Sequence, residues 1–180
     1  KDIANQKLND FLLNHLDSYD IDRDYPAKKG TSQLSPYLNT GVLSIRLVWQ
    51  AASQMPSSNG KETFLKELAW RDFYHMIYFN NPKQYNEELI EKYRELKWQT
   101  DEDLLKKWQM GQTGFPIIDA AMRQLNETGW MHNRLRMLVA CFLTKDLLID
   151  WRLGEKYFSE QLIDYDSASN IGGWQWAAST

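Results

Sequence analysis

Apolar residues recur along this chain at intervals of three and four rather than two, the spacing of one helix face. Ile3, Leu8, Phe11 and Leu12 mark a first amphipathic helix, and a charged loop follows from Ser18 to Lys29. Ser35 before Pro36 reads as an N-cap with proline opening the next helix. A helix over 44–55 runs into Pro56-Ser57-Ser58-Asn59-Gly60, a linker at which a single domain of residues 1–180 has its one point of subdivision. Phe64, Leu65, Leu68, Phe73, Ile77 and Tyr78 predict a long helix over 61–79, which Asn80-Asn81-Pro82 stops. Pro82–Thr100 is polar and reads as irregular with one short helix, and Thr100-Asp101-Glu102-Asp103 starts another in the manner of a capping box. Further helices are expected over 116–127, His132–Thr144 and Gly154–Ile163. With no alternating run to mark a strand, the expectation is an all-α bundle with long connecting loops.

Composition narrows the class. The chain has 180 residues, 43% hydrophobic and 25% charged, as a globular domain does. No apolar run approaches the roughly 20 residues of a membrane span, so no membrane partner is expected. The chain opens on Lys1 rather than Met, which reads as a segment of a longer protein. Its one cysteine, Cys141, lies among Leu138, Val139, Ala140, Phe142 and Leu143, a buried thiol in a reducing, cytoplasmic setting. A net charge of −3 excludes a surface that attracts nucleic acid everywhere, but not a local basic groove. Eight tryptophans are more than a core of this size requires.

Four constellations carry candidate chemistry. Thr31-Ser32-Gln33-Leu34-Ser35 gathers hydroxyls and backbone N–H groups at a helix start, where an anion is favoured; an ordinary hydroxyl cap has the same composition. Glu67, Trp70, Arg71 and Tyr74 share one helix face, an acid, a base and two aromatics, although Glu67 and Arg71 are also spaced as a plain exposed ion pair. Asn133 and Met137 lie one turn apart, with Arg134 and Arg136 beside them. His15, His75 and His132 are scattered, with no second ligand at metal spacing, so no metal is expected. The last run, from Asp164-Tyr165-Asp166 through Asn170 and Gly172-Gly173 to Trp174-Gln175-Trp176, is a poor recipe for an ordinary packed helix. Gly173 leaves room for a flat group at the backbone, tryptophans offer faces to a ring, and acids can hold donor groups.

This last run resembles the flavin-site signature of the DNA photolyase and cryptochrome family. The hydroxyl loop, with Tyr19 and Arg23 in Tyr-x-x-x-Arg-Asp-x-Pro upstream, resembles that family's phosphate loop. The similarity runs from Tyr19 to Thr180 and is nearest to class I photolyases of cyclobutane pyrimidine dimers. It implies a helical FAD-binding domain without the N-terminal α/β domain that holds an antenna chromophore, so no antenna pigment is expected on this chain. FAD, active when reduced, is implied to contact Tyr19, Thr31, Ser32, Gln33, Leu34, Ser35, Arg71, Asn133, Arg136, Asp164, Tyr165, Asp166 and Asn170. The implied DNA-facing residues are Arg23, Glu67, Trp70, Arg71, Tyr74, Asn133, Arg134, Met137 and Trp176.

The implied reaction is light-driven repair: a dimer in duplex or single-stranded DNA is flipped into a pocket and split by one electron from excited reduced FAD, a monomer acting alone. Photolyases act on a nucleotide flipped out of the stack. Glu67, Asn133, Met137 and Asn170 are implied at the reacting groups. Trp98, Trp151 and Trp174 are implied as a file of oxidisable indoles; without the resemblance, three separate packing tryptophans would be the choice. Asn133 and Met137 match enzymes acting on cyclobutane dimers, and Asn170 matches photolyases rather than plant cryptochromes. Two other readings stand beside repair: a blue-light signalling receptor of the cryptochrome type, and a cofactor-free helical module using tryptophans as anchors.

Overall fold

The computed structural model describes all 180 residues and divides them into two compact units, Lys1–Phe73 and Tyr74–Thr180. Both are helical. No strand forms, and the one extended pairing is an isolated parallel bridge between Gln99 and Ile149. No helix is long and apolar enough to cross a membrane.

The first unit holds α1 (Asp2–Asn14), α2 (Tyr19–Asp22), α3 (Ser35–Asn39), α4 (Ile45–Gln54) and the start of α5 (Asn59–Asn80). Leu8, Phe11 and Leu12 of the expected stripe of α1 are buried, but Ala4 rather than Ile3 completes it, and Ile3 is 65% exposed. The rings of Phe11, Tyr19 and Phe64 meet with centroids 4.7–5.5 Å apart. Leu34, Val48 and Leu68 complete the same apolar cluster. Two further sequence expectations change here. The charged loop contains the short helix α2, because Tyr19 is drawn into the core between polar neighbours. Leu34, not Ser35, takes the N-cap position of α3, with Ser35 in the first turn beside Pro36. The Pro56–Gly60 segment is clipped rather than open: Lys61 Nζ donates to the carbonyls of Ser53 and Met55.

The second unit holds the end of α5, then α6 (Glu102–Met110), α7 (Pro116–Thr128), α8 (Asn133–Cys141), α9 (Trp151–Gln161) and α10 (Ser167–Ala178). Trp108, Met122, Leu125, Val139, Leu143, Trp151, Phe158, Ile171 and Trp174 form its core. The expected helix over His132–Thr144 is α8 followed by one π-turn, Phe142–Asp146. The Thr144 hydroxyl donates back to the Ala140 carbonyl at 2.8 Å, competing with the ladder at that turn. α9 begins three residues before Gly154, because Asp150 caps it by accepting from Arg152 N at 3.0 Å.

The largest departure is α10. The glycine pair does not break it, and twelve residues form a regular helix. Gly172 is required there by packing: a Cβ would stand 2.3 Å from the Tyr74 ring. Gly154 serves α10 in the same way from α9, since a Cβ would lie 2.2 Å from the Trp174 indole. Burial of Ala168, Ile171, Trp174, Ala177 and Ala178 outweighs the low helix propensity of the two glycines, about 1 kcal/mol each.

Candidate functional site

In the first unit the hydroxyl loop enters α3 through Gln33, whose φ of +49° is unusual for a residue with a Cβ. Thr31 and Ser32 are half-buried and Ser35 is exposed, while the Leu34 side chain is a core residue, leaving only its backbone for a ligand. Lys7 Nζ donates to the Gln33 amide oxygen at 3.3 Å. Tyr19 likewise spends its ring on the core, with the Arg23 guanidinium 5.4 Å from the ring centroid.

Arg23, not Arg71, is the ionic partner of Glu67, with Nη1 2.6 Å from Oε1. The i,i+4 spacing on α5 therefore did not decide the pairing. Arg71 keeps only a 3.5 Å contact with Asp72, so this half-buried guanidinium is spare for an anion. Trp70 is 52% exposed and meets Phe73 edge-on at 5.3 Å, an apolar platform left in solvent.

In the second unit charge is built inward. Asp164 is buried, and Arg136 Nη2 reaches both its oxygens, at 3.0 and 2.8 Å. Arg136 Nε donates to the Met131 carbonyl, which fixes the guanidinium plane. Asn133 opens α8 and is exposed, and Arg134 Nη1 lies 3.4 Å from Met137 Sδ, one turn further along that helix. His132 is the N-cap of α8, its Nδ1 accepting from Arg134 N at 3.1 Å, so its place is structural.

Asp166 meets His75 Nε2 at 2.8 Å and accepts from Ser169 Oγ. Asn170 donates to Glu155 Oε1 at 3.1 Å, and the Tyr165 hydroxyl donates to the same oxygen at 2.8 Å. Burial first, and then the Glu155 hydrogen bond, push the Tyr165 phenol far above its ordinary range, so it stays a donor. Glu155 was missed in the sequence because an acid inside a helix reads as solvent-facing; only its burial singles it out. Glu88 was missed because an acid in a polar stretch reads as solvent-facing, and the pairings of Arg152 and His75 because Glu88 and Asp166 lie 64 and 91 residues away.

Trp151 and Trp174 are fully buried, and Trp98 packs half-buried against the same apolar cluster. Trp108, which sequence reading left unassigned, lies edge-on to Trp174 at 6.0 Å. Trp176, by contrast, is 58% exposed, and Tyr74 lies half-buried over Gly172.

Gly173 leaves room for a flat cofactor. A Cβ there would meet nothing within 4 Å, unlike the one at Gly172. The backbone of α10 is thus open on that side, with Asn170 one turn before it and Trp176 one turn after. Such an edge accepts a planar ring, and the residues present fit an isoalloxazine.

The chain is similar to known proteins over nearly its whole length. The chain is 57% identical over 98% of its length to a deoxyribodipyrimidine photo-lyase of Alkalihalophilus pseudofirmus, and 50% identical over 97% to that of Escherichia coli. It spans 37% and 38% of those two proteins. A crystal structure of a class III photolyase from Agrobacterium tumefaciens superposes with a TM-score of 0.94 at 46% identity, over 97% of this chain and 37% of that one. A Synechocystis cryptochrome superposes with a TM-score of 0.92 at 35% identity, over 98% of this chain and 38% of that one. A Sulfolobus tokodaii photolyase described with two FAD molecules gives 0.87 at 43%, over 98% and 39%. The model of the FAD-binding domain of DNA photolyase matches residues 64–180, and the chain belongs to that family.

Proposed function

We propose that this chain is the flavin-binding, lesion-facing part of an enzyme that repairs cyclobutane pyrimidine dimers in DNA under light. The observation that carries the reading is the open backbone at Gly173 between Asn170 and Trp176, in a chain whose relatives are deoxyribodipyrimidine photo-lyases. Bound FAD supplies a one-electron donor when reduced and excited, chemistry no side chain here provides.

The chain's own groups position and hold charge. Thr31, Ser32 and Ser35 offer hydroxyls to a diphosphate, and Arg71 offers a spare guanidinium. Arg136, pinned by Asp164, places a fixed cation for an anionic ring, and Asn170, held by Glu155, offers its amide at the α10 backbone edge. Trp70 and Trp176 supply exposed faces for unstacked bases, with Glu67, Asn133 and Met137 as contacts to the lesion. Trp98, Trp151 and Trp174 supply oxidisable indoles. The match of Asn133, Met137 and Asn170 favours repair over a signalling role. The acting species is a monomer on damaged duplex or single-stranded DNA.

The test uses the full-length protein. Trp70→Ala is expected to lose preference for dimer-containing over undamaged DNA by about five- to a hundredfold, since stacking is worth roughly 1–3 kcal/mol per base while phosphate contacts ignore damage. Equal losses on both DNAs, measured by competition binding, remove Trp70 from the lesion pocket.

A further inference from the structure

Within the second unit, Trp151 has a polar setting that its two partner indoles do not share. It is fully buried, and its Nε1–H donates to Glu88 Oε1 at 3.3 Å. Glu88 is itself buried, and its other oxygen accepts from Arg152 Nη2 at 2.7 Å. The Arg152 guanidinium lies over the Trp151 ring, 4.9 Å from its centroid. Its Nη1 reaches Asp150 at 3.1 and 3.2 Å, and its Nε donates to the Asn86 carbonyl. Two carboxylates and one guanidinium therefore surround one indole, and the local charge is negative. By comparison, Trp108 Nε1 donates to a neutral carbonyl, that of Val139. A packing tryptophan requires no buried carboxylate, and a buried ion pair is costly to keep.

We infer that the Glu88–Arg152–Asp150 cluster tunes Trp151 as an electron relay, Glu88 stabilising the oxidised indole and Arg152 restraining it. The inference rests on the reading that Trp98, Trp151 and Trp174 form a conducting file. Trp151 would give one electron to the oxidised indole of Trp174 and take one from Trp98, bound oxidised flavin supplying the photoexcited oxidant. Between those transfers the Trp151 ring carries one positive charge. Its proton stays on Nε1, because a carboxylate bound to Arg152 is a weak base. Burial raises the Glu88 pKa, but hydrogen bonds from Arg152 and Trp151 outweigh burial and hold the group below its ordinary value. Glu88 is thus a charged acceptor aimed at the atom whose acidity rises most on oxidation. Coulomb attraction in a poorly screened interior then lowers the energy of the cation, and the guanidinium on the ring face opposes it. Such a balance keeps the relay oxidisable without making it the final resting place of the hole. Glu88 and Arg152 are positioning and tuning residues that act through the Trp151 indole.

Two charge variants separate tuning from structure, because tuning requires opposite signs. In FAD-loaded protein, Glu88→Gln keeps shape and a hydrogen-bond acceptor but removes the charge, and flavin photoreduction is expected to slow by about three- to tenfold. Arg152→Gln is expected to hold or raise the rate, and Glu88→Asp to restore most of it. A parental rate in Glu88→Gln, or equal slowing in both charge variants, overturns the inference. Trp151→Phe is the control: photoreduction at the parental rate there removes the electron file itself, whereas a block there with silent charge variants removes only the tuning. A second readout avoids the cofactor. In flavin-free protein, the ultraviolet resonance Raman marker of the Trp151 N–H hydrogen bond, isolated by difference against Trp151→Phe, is expected to weaken in Glu88→Gln. An unshifted marker overturns the inference even where a variant loads flavin poorly.

Discussion

The two units spend polar residues in opposite ways. In Lys1–Phe73 the core is almost wholly apolar, and the groups of interest stand at its surface: half-buried Thr31 and Ser32, the weakly engaged Arg71, and exposed Trp70. In Tyr74–Thr180 carboxylates go inside, where Glu88, Asp119, Glu155 and Asp164 are all buried and each is answered by specific donors. The difference teaches what each unit is arranged to meet. Surface hydroxyls and an underused cation suit a ligand that brings its own charge. Buried, satisfied carboxylates fix the orientation of nearby side chains before any ligand arrives, and they suit chemistry in which charge appears and disappears on rings.

This contrast predicts unequal costs for breaking an ion pair. Arg136→Met removes the partner of buried Asp164 and leaves a charge with lost compensation in a poorly screened place. The expected loss is about 3 kcal/mol of stability, read as a fall in the denaturant midpoint with unchanged slope. Replacing both partners with apolar residues is expected to recover part of that loss. A single variant that costs under about 1 kcal/mol shows that Asp164 is solvated more than its burial implies, and the contrast between units then loses its main support.

A second prediction probes the ligand side of the first unit. Thr31→Ala with Ser35→Ala leaves the core of that unit untouched, since neither side chain belongs to it. FAD affinity is expected to fall by roughly 1–3 kcal/mol, about five- to a hundredfold, if both hydroxyls bind phosphate. Thermal stability of the flavin-free protein is expected to stay within about 0.5 kcal/mol of the parent. Unchanged flavin occupancy returns the loop to an ordinary helix entry.

Much of this was legible in the sequence, and the failures share one cause. α1 follows from the spacing of Leu8, Phe11 and Leu12, because local spacing decides which face is buried, although Ala4 rather than Ile3 completes the stripe. Arg136 and Asp164 stood out through a resemblance, and the structure pairs them. What spacing cannot reveal is a partner distant in sequence. Glu67 chose Arg23, 44 residues away, over Arg71 one turn along the same helix. Glu88 chose Arg152, 64 residues away, and Trp151, 63 away. Gly172 looked like a helix breaker because the Tyr74 ring that requires it lies almost a hundred positions earlier. Tertiary packing settled each of these, and single-sequence propensity carries no record of it.

The smallest predicted effect is the most direct check on the comparison. Arg23–Glu67 in the first unit has the shorter contact of the two pairs, 2.6 Å against 2.8 Å for Arg136–Asp164. Distance alone therefore ranks it stronger. Burial ranks it weaker: the Glu67 side chain retains 32% of its exposure and Asp164 only 1%. Water can take over an exposed carboxylate when its partner leaves, so the loss is mostly the modest net value of the pair. Arg23→Met keeps most of the aliphatic stem against Tyr19 and is expected to cost about 1 kcal/mol or less. Measured beside Arg136→Met under the same denaturant, it is expected to give clearly the smaller shift. An equal or larger shift for Arg23→Met means that contact distance, not burial, governs these pairs, and the two units then differ in layout but not in energetics.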